Sequence, residues 1–272
     1  MRVTAWLTAI ACCAGCGQKL DHPALAPSCD PATMDCRTTA PGSGSGSSPG
    51  DQQGSGGAGS DTGLATFSGL VIQFDDDYFD RGTAFPSPAT ISATGDGGLR
   101  TSTSYDGKSF ELADVLLAPA NWFLVEPTAN GVMPTLGAIP TRSIATTDLR
   151  LGLANTTAVD GIFVNSGTDR SLERAQLVVH VVDTQLRSVP GIRGTLSAIA
   201  EVTEYRMAGA WIPDDGATSV TDDTGMLFFG NVVAGSSLTK ASVALAGTTT
   251  SRIDVELKSG AITVINAMVT GK

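Results

Sequence analysis

From Ala65 onward the chain is written in short runs that alternate apolar and polar residues and are cut by Gly, Pro, Asn and Asp. A period of two sends alternate side chains to opposite faces of a strand, and it denies a helix the continuous apolar stripe it needs. Ile253, Val255 and Leu257 alternate with Arg252, Asp254, Glu256 and Lys258, the pattern of a half-buried strand. Leu177, Val179 and Val181 alternate in the same way with Gln176, Val178 and His180. Further strands are expected over 66–74, 89–93, 121–126 and 262–270. Tyr105-Asp106-Gly107 and Asp222-Asp223-Thr224-Gly225 read as hairpin turns, because Asp and Gly accept the backbone angles such turns require. One helix is expected, over 147–153, with Thr146 or Thr147 as its N-cap and Asp148 in its first turn.

Composition agrees with an all-β fold. Gly reaches 32 residues, charged residues are only 16% of the chain, and β-branched residues outnumber long helix formers in the periodic runs. The formal charge is −10, from 17 basic and 27 acidic residues. An acidic body repels nucleic-acid phosphates, so no nucleic-acid partner is expected. All five cysteines lie in the first 36 residues. The folded part therefore has no disulfide and depends on its apolar core.

The folding region carries a weak duplication. Residues 101–115 align without gaps to 218–232, Thr90-Ile-Ser-Ala93 matches Thr195-Leu-Ser-Ala198, and 69–75 matches 177–183, at offsets of 117, 105 and 108. Three matches in one order, with offsets differing by loop lengths, imply two copies of one domain. The second copy resembles the carboxypeptidase regulatory-like, or transthyretin-like, β-sandwich family. The resemblance rests on 178–183, Pro190-Gly191, 195–198, 218–221, the Asp222-x-x-Gly225 turn, Leu227-Phe228-Phe229, Asn231-Val232 and Gly235. The first copy is looser, with Asp114 in place of the Asn and no counterpart of Gly235. What the resemblance implies is two tandem antiparallel sandwiches, at 65–139 and 175–272, with 140–174 as a connector holding the short helix. It implies a fold and no catalytic site.

The N-terminus speaks to location. Met1-Arg2 leads into an apolar run too short to span a bilayer, which ends in small residues and cysteines. The small-small-Cys ending resembles a bacterial lipoprotein signal, with 1–15 removed and the new N-terminal Cys carrying the lipid. Ala9-Ile10-Ala11 before Cys12 fits the small-residue pattern but shortens the apolar run. Cleavage before Cys16 leaves one cysteine for lipid and pairs Cys29 with Cys36, so Cys16 is favoured. Gly17 rather than Asp at the next position points, by that resemblance, to the outer membrane of a Gram-negative cell. Cys29 and Cys36 enclose a short Pro-containing loop suited to a local disulfide in an exported protein, with metal binding alongside His22 as the weaker reading. The Gly/Ser-rich tract that follows, up to 64, has little apolar surface to bury and reads as a disordered tether.

Candidate chemistry is sparse. Asp75, Asp76, Asp77 and Asp80 form the densest acidic cluster and offer oxygen ligands for calcium, but without the EF-hand spacing; a solvated loop is the simpler reading. Asp214-Asp215 and Asp222-Asp223 read as acidic turns. Trp122 and Trp211 are the residues a carbohydrate-binding surface would use, against the commoner role of aromatics as core. Of the two histidines, His22 lies in the tether and His180 on the more polar face of its strand, with no positioned acid evident. No G-x-S-x-G turn, phosphate loop or dinucleotide fingerprint is set between a strand and a helix; the Gly/Ser tract lacks those flanking elements, and no cofactor is expected. The expectation is a non-enzymatic lipoprotein of the cell envelope. It would be tethered to a membrane by its lipid and present β-sandwich adhesion or scaffold modules to an envelope protein or polysaccharide. A carbohydrate-binding lipoprotein and a hydrolase with distant convergent residues are the alternatives.

Overall fold

The computed structural model describes residues 63–95, 98–118, 120–139, 146–247 and 251–269. The first stretch of strands is β1 (Leu64–Phe74), β2 (Gly82–Ala84), β3 (Ala89–Gly95), β4 (Gly98–Tyr105), β5 (Phe110–Leu116), β6 (Asn121–Pro127), β7 (Val132–Met133), β8 (Thr135–Ile139) and β9 (Leu149–Asn155). Helix α1 (Thr156–Ile162) and a 3-10 turn over Phe163–Asn165 follow. The rest is β10 (Ala175–Val182), β11 (Arg193–Leu196), β12 (Val202–Met207), β13 (Ala210–Pro213), β14 (Met226–Val232), β15 (Thr239–Ala246), β16 (Ser251–Leu257) and β17 (Ile262–Met268). Among the described residues the fold is all-β apart from α1 and the 3-10 turn.

The duplication seen in the sequence reappears as topology. In the first half β1 pairs antiparallel with β5 and parallel with β9; in the second β10 pairs antiparallel with β14 and parallel with β17. The facing sheets correspond as well, with the order β3-β6-β8 matched by β11-β15-β16. Each half is thus a sandwich built on one plan. The sheets are mixed rather than purely antiparallel, because each closing strand returns only after the facing sheet has been built and then enters beside the first strand in the same direction.

The two sandwiches share a sheet. Strand β8 of the first pairs in parallel with β17 of the second, Ile262 opposite Thr135 and Val264 opposite Gly137. This fuses a facing sheet of one half to a founding sheet of the other in the nine-stranded order β13-β12-β14-β10-β17-β8-β6-β3-β4. One face of it packs on β1, β5 and β9 around Phe67, Ile91, Leu112, Phe123 and Leu151. The opposite face packs on β11, β15 and β16 around Leu177, Val179, Leu227, Phe229, Val243 and Val255. A third cluster draws on both halves, joining Phe74, Phe79, Met133 and Ala154 to Val178, Phe228 and Ile262.

The helix expected over 147–153 is a strand. Leu149, Leu151 and Leu153 are buried while Arg150 is exposed and Gly152 half-buried, the period of two that turns the leucines into the first core from a strand lying beside β1. Asp148, read as a first-turn residue, sits at φ 61 in the bend before that strand. The helix starts one element later, where the Asn155 side chain accepts a hydrogen bond from Thr157 N–H at 2.9 Å and Val159 and Ile162 turn inward. Residues 149–155 therefore belong to the first sandwich rather than to a connector.

Candidate functional site

The acidic loop after β1 is a clamp between the two sandwiches. Asp77 pairs with the guanidinium of Arg206, a β12 residue only 4% exposed, and accepts a hydrogen bond from Trp211 Nε1 at 2.9 Å. The Tyr78 ring centre lies 3.8 Å from the Arg206 guanidinium carbon, and the Trp211 ring centre 5.6 Å from it. Asp76 folds the loop by accepting from Tyr78 N–H at 3.0 Å, and Asp75 accepts from Thr83 Oγ1 at 3.3 Å. The four carboxylates expected as calcium ligands do not converge: Asp77 already holds the protein's own cation. Among the described residues no three His, Cys, Asp or Glu side chains are gathered to hold a metal ion.

Trp211 is not a sugar platform. It is 3% exposed, with Phe228 edge-on at 6.1 Å and its indole N–H committed to Asp77. Trp122 is placed differently. Alternation along β6 sends Phe123 into the first core and Trp122 to the opposite face, where it borders the core of the second sandwich. There it lines a cleft of about 270 Å³ with Thr94, Lys240, Asp254 and Glu256. Aromatic surface and polar groups meet in this cleft.

A larger cleft, of about 440 Å³, shares Asp76 and Tyr78 with the clamp loop. Its walls are Asp76, Tyr78, Asp80 and Arg81 from the acidic loop, His180 and Met226 from neighbouring strands, Ser188, and Asp223 and Thr224. His180 Nε2 lies 2.8 Å from Ser188 Oγ. Burial pushes the imidazole below the usual histidine range, while Asp80, the Asn266 side chain and the Thr224 backbone pull the other way. Ser188 reaches the ring because the turn after β10 folds straight back, bridging Val182 to Ser188. Asp183 fixes that turn, accepting from Gln185 N–H at 2.8 Å, Arg187 N–H at 3.0 Å and Arg187 Nε at 2.8 Å. These bonds hold its carboxyl below the usual range. Beneath lies Gly225, at φ +68; a Cβ there would stand 2.6 Å from Val181 O and 3.3 Å from Ser188 Cβ.

The sequence placed His180 correctly on a strand but offered no acid near it, whereas the fold brings Asp80 and Ser188 to the same cleft. The signal for Ser188 was slight: a serine eight residues on, beyond an Asp-containing turn. Arg206 had no signal, since its partner lies 129 residues away. Cys16, Cys29 and Cys36 lie outside the described residues.

No protein-family model and no curated protein matches this chain. Among solved structures, a streptococcal ancillary pilin is 12% identical, the match covering 76% of this chain and 69% of the pilin with a TM-score of 0.27. The shaft pilin SpaA from Lactobacillus rhamnosus GG is 9% identical over 77% of this chain and 98% of its own, with a TM-score of 0.25. The TIE protein of Bacillus anthracis is 14% identical over 76% of this chain and 34% of its own, with a TM-score of 0.22. Superpositions this loose carry no fold, partner or activity across to this chain.

Proposed function

We propose that this chain is an envelope lipoprotein, anchored through lipidated Cys16 and held off the bilayer by its Gly/Ser tether, that presents two fused transthyretin-like sandwiches as a scaffold or adhesion module. The observation that supports it best is the fusion itself. A shared nine-stranded sheet and the pairing of Asp77 with the buried Arg206 join the sandwiches into one body, as suits a module that holds a partner at a fixed place. The tether and the signal-like N-terminus supply reach and attachment. Its partner is then an envelope protein or a polysaccharide. Saccharide binding is the second reading, supported by the half-buried Trp122 in its cleft. The test is fractionation of cells expressing wild type and Cys16→Ala. Wild type is expected with the membranes and the variant in the soluble fraction; a variant that stays with the membranes would overturn the anchor. Capture of solubilised envelope and a glycan panel by the released form then separates protein from sugar partners.

A further inference from the structure

The Ser188–His180 pair stands outside the clamp and contributes to neither core. A hydroxyl 2.8 Å from an imidazole nitrogen, facing an open cleft of about 440 Å³, is the arrangement in which a serine can be deprotonated as it attacks. We infer that Ser188 is a nucleophile activated by His180, and that this cleft is an acyl-acceptor site for small neutral or cationic esters. Ser188 Oγ attacks the ester carbonyl carbon as its proton passes to His180 Nε2. Collapse of the tetrahedral adduct breaks the bond to the alcohol oxygen, which takes that proton back from Nε2. The products are an acyl-Ser188 and the free alcohol, with His180 neutral again and no redox change. Arg81, exposed on the same wall, is the cation available to the developing oxyanion. Asp76, Asp80 and Asp223 outnumber it, so the rim disfavours anionic esters. Because burial keeps His180 below the ordinary histidine range, the base is in its competent form at neutral pH.

This goes beyond the presenting role proposed above, and its failure would leave that role intact. The experiment treats the detergent-solubilised full chain with p-nitrophenyl acetate and, separately, with a fluorophosphonate, and maps adducts by peptide mass spectrometry. The expected result is one adduct, on Ser188, absent in Ser188→Ala. Labelling should slow by roughly 100-fold or more in His180→Gln, the usual contribution of a positioned general base. The charged and titrating groups that line the cleft with the ring are Asp76, Tyr78, Asp80, Arg81 and Asp223. With their net field negative, the wild-type rate should stay flat through neutral pH and fall only on acidification below the ordinary histidine range. An unassisted hydroxyl would instead speed up steadily with hydroxide. Adducts scattered over other side chains, no adduct, or a wild-type rate in either variant would overturn the assignment. The wild-type pH profile decides the matter even if a variant fails to fold.

Discussion

Glu204 opposes the fold that contains it. It lies on β12 opposite Phe228, fully buried, and neither carboxyl oxygen has a hydrogen-bond partner. Burial raises its pKa from 4.5 to about 7; the Ser166 hydroxyl, which donates to the Phe163 carbonyl at 2.8 Å, offsets little of that. The sign follows from linkage. Below the unfolded value both states hold the proton and the group costs no ionisation energy. As pH rises from there to the folded value, the unfolded chain ionises while the folded one does not, and stability is lost, by about 3 kcal/mol in full. Glu204→Gln removes that dependence. Urea unfolding at pH 8 should find the variant about 2–3 kcal/mol more stable relative to wild type than at pH 4.5; equal differences at both pH values would show that the carboxyl ionises freely in the fold. Arg206, two residues on, is the contrasting case: equally secluded, but matched by Asp77 and the Tyr78 face.

At the scale of elements, the strand β9 and helix α1 show what a sequence can and cannot disclose. The alternation in β10 and β16 and the duplicated order of runs were readable because they are local, and the pairing roles of β1 and β10 match accordingly. Over 147–153 a cap-like Thr-Thr-Asp stood before Leu-Arg-Leu-Gly-Leu, and the cap signal outweighed an alternation that was also present. Parallel pairing with β1 decided for strand, a contact some 80 residues back that no local pattern encodes. The acidic loop is a similar case, since its carboxylates look like ligands until Arg206 is brought to them. The true cap is Asn155, so Asn155→Ala should cost about 1 kcal/mol in denaturant unfolding, the usual loss for an N-cap. A neutral result would mean that burial of Val159 and Ile162 alone holds the helix.

For the whole molecule, the question is whether two copies of a domain still behave as two. Three features couple them. The β8–β17 pairing makes a continuous sheet; the cluster around Phe74, Met133, Val178 and Phe228 takes side chains from both copies; and Asp77 of the first neutralises a buried cation of the second. Unfolding either sandwich alone would strip the edge of the shared sheet, open that cluster to water and leave Arg206 buried without its counter-charge. Each of these costs several kcal/mol, comparable to what a sandwich of this size has in hand. Scanning calorimetry of the chain should therefore give one transition, with calorimetric and van't Hoff enthalpies in agreement. Asp77→Asn should lower the temperature of that transition, through a loss of about 3 kcal/mol, without splitting it, because the sheet and the apolar cluster still couple the halves. Two resolved transitions in the wild type would mean that the sandwiches unfold independently and that the β8–β17 pairing contributes little. Two transitions in the variant alone would single out the clamp as the coupling element.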